Sequence, residues 1–282
     1  MKLVALIILL MIAVMSLVTT ITPGSKAYKK PNPVMDIGKE IAKPLTHAEN
    51  IGPEISSVLE RNGIKLPSLS GNKNNRKNVG HSMQDLTGAV FSNLDLPKNN
   101  FAGASLTEAQ FNGALLDDTS LEGASGETTN FNGARMAKAN LTAAMFIGAD
   151  FSGAELREAK ARAGDFTDSL FVGTDLSFSS FSGAKLNGAD FRAAYSAGAA
   201  FVGTEAKNAD FNGANLTGVR FINAKLHKSS FAGADMKAAD LSGAQFYGAD
   251  ISGAVNLTSE QLQKSCIDGE TKLPDGLTAP RC

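Results

Sequence analysis

The side chains that carry most enzyme chemistry are scarce in this sequence and far apart. Three histidines, His47, His81 and His227, and two cysteines, Cys266 and Cys282, occur in 282 residues. A structural zinc takes four ligands, which two cysteines alone do not supply. Adjacent Asp117 and Asp118 offer paired carboxylates, the arrangement of general acid–base or metal chemistry, yet they fall in a run patterned as a solvated loop. The glycines form no phosphate-cradling loop of the known kinds, because they recur at a period of five instead. No catalytic, cofactor-binding or metal residue is therefore assigned, no cofactor is expected, and the chain reads as a non-enzyme.

The elements that hold these residues follow from the five-residue period. Every fifth residue from Leu86 to Ile251 gives 34 positions, of which 30 are large and apolar: twelve Leu, fifteen Phe, two Met and one Ile. The exceptions are Gly126, Ala161, Ser196 and Ala206. Two residues before each of these centres, 22 of 34 positions are Ala; two residues after, 18 are Gly. Repetition of this length means a solenoid and overrides local propensity. Five residues suit a short extended step and a corner. The central and the small side chain point inward, the other three outward, and Gly serves the corner because it accepts positive φ. Four such sides close a coil of twenty residues. At the normal strand spacing of about 4.8 Å, 34 sides make a rod roughly 40 Å long.

The aromatic residues have a pattern of their own. Twelve of the fifteen central Phe fall on alternate units: Phe91, Phe101, Phe111, Phe131, Phe151, Phe171, Phe181, Phe191, Phe201, Phe211, Phe221 and Phe231. Only Phe146, Phe166 and Phe246 do not. Alternate units lie on opposite sides of a four-unit coil, so the expected core is two opposing Phe columns with mostly Leu between them. Apolar area buried in this way contributes roughly 25 cal/mol per Å². Phe178 stands outside the rule, two residues after Leu176 at an outward corner, as a contact point or a scattered exposed residue. Ten Asp precede a centre, among them Asp150, Asp190, Asp210 and Asp250, where a side chain bonds neighbouring backbone.

The stretches "ADFNGANLTG", "ADLSGAQFYGADISGA" and "ADFSGAELREAK" resemble the A-(D/N)-(L/F)-x-x units of the pentapeptide-repeat family. The resemblance runs over residues 84–255, about 60% of the chain. It implies an all-β fold, a right-handed, four-sided β-helix solenoid. Handedness and the number of sides come from the family, not from the spacing.

A solenoid has two open ends, and unpaired edges call for caps. Residues 28–83 read as a helical cap region and a basic linker. Val34, Ile37 and Ile41 are at helical spacing, as are Ile55, Val58 and Leu59, and a polar run of turn-forming residues follows. Residues 256–282 read as the C-terminal cap: Thr258 with Gln261 suggests a capping box opening a short helix. Cys266 and Cys282 are expected to form a disulfide if the protein is exported, and to remain free thiols if it is cytoplasmic.

Residues 1–27 read as a signal peptide. Lys2 precedes an uncharged apolar stretch, and Ser25 and Ala27 supply small residues before a cleavage site. The alternative is an uncleaved anchor, since Leu3 to Ile21 is nineteen residues long, with Lys26, Lys29 and Lys30 behind it. The expected location is therefore periplasmic or secreted, with the membrane involved only if that segment is retained. The net charge of −1 exerts no general pull toward nucleic acid. It divides unevenly: residues 22–83 hold ten Lys/Arg against five Asp/Glu, residues 84–255 thirteen against nineteen. Two functional classes follow. One is an exported structural or interaction protein with a protein partner. The other is a DNA-mimic topoisomerase inhibitor or protector, as the resemblance to quinolone-resistance members implies for a cytoplasmic body.

Overall fold

The computed structural model describes residues 81–282. The expected signal peptide and the two helical runs of residues 34–62 lie outside the described residues. From His81 to Val255 the backbone repeats one five-residue conformation: a centre, two turn residues, an inward small residue and a residue that makes a bridge. His81 already occupies the centre phase, ahead of residue 84, where the repeat was expected to begin. Its ring stacks on Phe101 with centroids 5.0 Å apart.

Each turn closes on itself. The Phe111 carbonyl accepts from the Ala114 N–H at 2.9 Å, and the Phe211 carbonyl from the Ala214 N–H at 3.1 Å. The third residue of the turn lies in the left-handed region, as in a type II turn. Gly153 is there with φ 66°, as expected, and so are Lys138 at 60° and Thr128 at 53°.

Residue n bridges residue n+20 in parallel, from Asp85 with Ser105 to Asp235 with Val255. A coil is thus twenty residues and contains four turns. Backbone bonds join successive coils: the Phe131 N–H donates to the Asp150 carbonyl at 2.7 Å, and the Asp150 N–H to the Thr129 carbonyl at 2.9 Å. Each coil satisfies its neighbour's backbone, so bridges of one residue suffice where longer strands would otherwise be needed.

The core lies within the coils. Of the twelve Phe expected there, eleven are at most 1% exposed, and Phe91, in the first full coil, is partly buried. Their arrangement differs from two equal columns. Phe91, Phe111, Phe131, Phe151, Phe171, Phe191, Phe211 and Phe231 form one unbroken stack, with centroids 4.7 to 5.1 Å apart and planes within 13° of parallel. The second column is a shorter stack of Phe181, Phe201 and Phe221. Leu121, Leu141 and Ala161 separate it from Phe101. The columns meet edge to face, as Phe191 and Phe201 do at 5.6 Å and 88°.

The small centre Gly126 faces a large residue one coil away. A Cβ added to Gly126 would lie 3.1 Å from Phe146 Cε1. Phe146 therefore fills the room that Gly126 leaves, and substituting either alone disturbs a close-packed interior.

After Val255, the last residue of the regular repeat, helix α1 spans Ser259–Leu262. Thr258 and Gln261 form the expected capping box: the Gln261 N–H donates to Thr258 Oγ1 at 3.3 Å, and the Thr258 N–H to Gln261 Oε1 at 3.0 Å. The Gln261 side chain also donates to the Met236 and Ala239 carbonyls at 2.9 and 3.0 Å. Leu262 is buried with the core. Cys266 then bridges Gln245, and Lys272 bridges Asp250, continuing two of the rows.

Candidate interaction surface

The outward positions form rows, one residue per coil, at the spacing of the bridges. The residue before a centre uses its side chain to hold the next turn. Asp150 Oδ1 accepts from the Ser152 N–H at 2.8 Å, Asp210 Oδ1 from Asn212 at 2.9 Å, and Asp190 Oδ1 from Arg192 at 3.0 Å. Asn130 and Asn215 do the same. This explains why the position favours Asp or Asn: the short side chain mimics a backbone turn. Other contacts run between coils. Asn130 donates to Gln110 at 3.2 Å, and Asn212 Oδ1 accepts from both Ser230 Oγ and the Ala232 N–H at 2.6 Å.

Two adjoining rows share a ladder of charges: Arg135 lies 2.6 Å from Asp117 and 3.8 Å from Glu155, and Arg157 lies 3.3 Å from Asp175. A further row carries Lys185 with Asp165 at 3.3 Å and Lys225 with Glu205 at 2.8 Å. Exposed pairs of this kind add little stability and mainly fix side-chain positions. The carboxylates respond to these partners. Partial burial acts to raise the Asp165 pKa, but the Thr167 hydroxyl and N–H and the Lys185 ammonium outweigh it and hold it below the ordinary value. For Asp240, the Ser242 hydroxyl and N–H lower it directly.

Asp117 and Asp118 do not act as a carboxylate pair. Asp117 is engaged by Arg135 and by the Ala137 N–H at 3.1 Å, while Asp118 occupies a left-handed turn position at φ 57°. Among the described residues, no three His, Cys, Asp or Glu side chains are grouped to hold a metal ion. His227 is bound to Gln245 at 3.1 Å, and its ring lies 4.9 Å from that of Tyr247. The Tyr247 hydroxyl in turn donates to Cys266 Sγ at 3.4 Å. The fold brings Cys266 and Cys282 together with Cα atoms 5.6 Å apart, the separation a disulfide takes. A pocket of about 500 Å³ lies where the last coils meet α1, lined by Lys237, Asp240, Ser242, Gln261 and Lys264 among others.

Sequence reasoning identified Phe178 as outward, and it is 64% exposed. It did not single out Tyr195, which is 59% exposed one residue before the small centre Ser196. The signal for it was available: Tyr195 is the one aromatic residue in its row, with Asp175 before it and Asn215 after.

Twenty-residue coils joined by parallel bridges, with inward centres at every fifth residue, define a β-helical solenoid of five-residue units. Residues 85–123, 129–160, 165–195, 197–231 and 220–255 match the family of pentapeptide repeats, in eight copies. The chain belongs to the pentapeptide-repeat family. No curated protein matches it. Among solved structures it is similar to HetL, a pentapeptide repeat protein involved in heterocyst differentiation regulation in the cyanobacterium Nostoc sp. strain PCC 7120. The identity is 26%, over 73% of this chain and 89% of HetL, with a TM-score of 0.38. It is also similar to QnrB1, a plasmid-mediated fluoroquinolone resistance protein, at 20% identity over 68% of this chain and 94% of that one, with a TM-score of 0.43. A pentapeptide repeat protein of the Arabidopsis thaliana thylakoid lumen is 26% identical over 49% of this chain and 69% of its own, with a TM-score of 0.25.

Proposed function

We propose that this protein is a non-enzymatic, exported binding scaffold. In this reading the four turns of each coil are the corners of a right-handed, four-sided tube. Helix α1 and a disulfide between Cys266 and Cys282 close its C-terminal end, and its outward rows are presented to a protein partner. The observation that carries the reading is the anchoring of the outward polar side chains. Asp and Asn before the centres are tied to the next turn, and their neighbours are tied between coils. A surface whose side chains are already held in place loses little conformational freedom on binding. Export is supported by the order of charge, apolar stretch and small residues in positions 2–27, and by the pairing geometry of the two cysteines.

Mass spectrometry of the native protein, combined with fractionation and crosslinking of intact cells, tests this proposal. The expected result is a mature terminus near Tyr28, a location outside the inner membrane and a crosslinked protein partner. An intact Met1 in the membrane pellet would sink the export part. A cytoplasmic body crosslinked to a topoisomerase would replace the whole reading.

A further inference from the structure

We infer that the turn row carrying Phe178, with the adjoining row from Lys160 to Arg220, is a docking site for a protein segment that places an apolar side chain between two acidic ones. The inference rests on the protein-binding reading above and assigns it a place and a chemistry.

Three features of Phe178 coincide. It is the only large apolar residue among the 34 positions two residues after a centre, where the others are Gly, Ala or polar. Its φ of 60° lies in the left-handed region, a conformation that disfavours a bulky side chain. Its side chain is also 64% exposed, so the strain is not offset by burial in the core. The ring rests on Gly198, one coil further along. A Cβ there would come within 2.8 Å of Phe178 Cδ1 and Cε1. The glycine thus lets the ring lie along the rod with its other face open, and Tyr195 stands exposed three residues before Gly198 in the same coil.

Glu158, one coil before Phe178 in the same turn row, lies 4.0 Å from Lys138; toward the adjoining row and the following coils the surroundings are depleted in charge. In the adjoining row, Ser180 and Ala200 follow Lys160 and precede Arg220; beside them run Arg162, Ser182, Val202 and Ile222. An uncharged stretch two coils long therefore lies between basic ends. Arg162 donates to Ser180 Oγ at 3.2 Å, and Arg220 feels Asp240 only through space. Lys160, Arg162 and Arg220 take no part in the ion pairs of the described residues. An apolar centre with a charged rim is the usual anatomy of a binding hot spot. Here the rim calls for carboxylates. Lys160 and Arg220 are three coils apart, about 14 Å, which an extended segment covers in about four residues.

The test is selection of a random peptide display library on the full chain, followed by affinity measurements on variants. Peptides with acidic residues flanking an apolar one are expected to enrich. Their affinity should fall about tenfold or more in Phe178→Gly, and in Lys160→Glu combined with Arg162→Glu. Phe178→Gly relieves the left-handed strain, so its melting temperature should be at least that of the parent, which separates lost binding from lost folding. Peptides that bind all of these variants as well as the parent would overturn this site and leave the protein-binding reading standing. A chain that enriches nothing on any row would overturn both.

Discussion

Phe191 and Phe211, twenty residues apart, stack with ring centroids 4.8 Å apart and planes within 4° of parallel. That distance is the spacing of the coils themselves. Ring stacking and backbone bridging thus share one repeat. The stack is continuous because each coil supplies the same residue at the same phase.

Removing one ring from the stack is expected to be costly. Phe211→Ala leaves a cavity between coils that the bridged backbone prevents from closing, and should destabilise by about 3–5 kcal/mol. Ala209→Leu overfills the narrower inward position, where Ala209 is 1% exposed, at about 1–3 kcal/mol. Asn212 points outward, yet its Oδ1 accepts from Ser230 and Ala232 of the next coil. Asn212→Ala should therefore cost about 1 kcal/mol, more than a free surface change. Chemical denaturation of the three variants checks the order; equal losses for Phe211→Ala and Asn212→Ala would refute the inward assignment.

Two kinds of buried hydroxyl should respond oppositely to truncation. Thr174 takes the small inward position and donates to the Phe151 carbonyl at 2.7 Å, so Thr174→Ala is expected to cost about 1 kcal/mol. Ser196 stands at a centre, fully buried, and its Oγ has no partner. Ser196→Ala removes an unsatisfied polar group and should be neutral or stabilising by up to about 1 kcal/mol. Thermal melts of both variants in one buffer decide the matter, and a destabilised Ser196→Ala would mean that its hydroxyl is bonded in solution.

The turn glycines can be tested for backbone strain alone. A Cβ at Gly153 meets nothing within 4 Å, so space is not the issue there. Its φ of 66° is, and Gly153→Ala is expected to cost about 1 kcal/mol. The reverse change at a β-branched turn residue, Thr128→Gly, should gain stability of similar size, since Thr128 holds φ 53°. A Gly153→Ala variant as stable as the parent would show that the turn relaxes out of the left-handed region.

Much of this architecture was legible because every fifth residue repeats one physical problem. The register from Leu86 to Ile251, the left-handed turn position and the inward Ala all follow from side-chain size at fixed phase. The unequal Phe columns were harder to foresee. Counting alternate units pools residues ten apart, whereas stacking needs residues twenty apart, and Leu121, Leu141 and Ala161 interrupt one column only. The fit of Phe146 over Gly126 and of Phe178 over Gly198 likewise depends on neighbours one coil away. The polar neighbours of His81 hide a centre phase that its backbone bond to the Asn100 carbonyl and its stacking on Phe101 disclose. The candidate surface was the least legible part, since outward residues are under no common packing constraint.

Acid should weaken the rod through its turn carboxylates. Asp240 and Asp250 are held below the ordinary Asp value by the Ser242 and Ser252 hydroxyls first, while in Asp165, Asp175 and Asp190 hydrogen bonds outweigh an opposing effect of burial. A folded pKa below the unfolded one contributes stability above the unfolded value, about 3.9, and that stability is lost as pH falls through the folded value. Melting temperature should therefore stay level from about pH 7 to pH 5 and drop below about pH 4. Asp240→Asn keeps the acceptor oxygen that Ser242 uses and should flatten part of the acid drop. An unchanged acid slope in that variant would remove Asp240 from the account.

Reduction of the proposed Cys266–Cys282 disulfide is expected to loosen the C-terminal tail while the coils hold. The two residues are 16 apart in sequence, and closing a loop of that order contributes about 3 kcal/mol in the chain-entropy picture. What remains after reduction is uneven. Cys266 itself stays tied into the rows: its N–H donates to the Ala244 carbonyl at 2.8 Å, and its carbonyl accepts from the Phe246 N–H at 2.9 Å. The last residues pack Leu277 and Ala279 against the core but have fewer backbone bonds to the rows. The Ile267 N–H donates to the Pro280 carbonyl at 3.1 Å and the Cys282 N–H to the Ile267 carbonyl at 3.3 Å, and these bonds join the tail only to itself. In a stack where each coil contacts only its neighbours, damage at one end stays local. Hydrogen exchange after reduction should thus rise first at Ile267 and Cys282, while Phe246 and Cys266 remain protected and the coils before Ile251 do not change. Thiol labelling of the unreduced native protein should find no free sulfur. Exchange rising evenly along the whole rod on reduction would contradict a local clasp, and labelled thiols in the unreduced protein would place the chain in a reducing compartment.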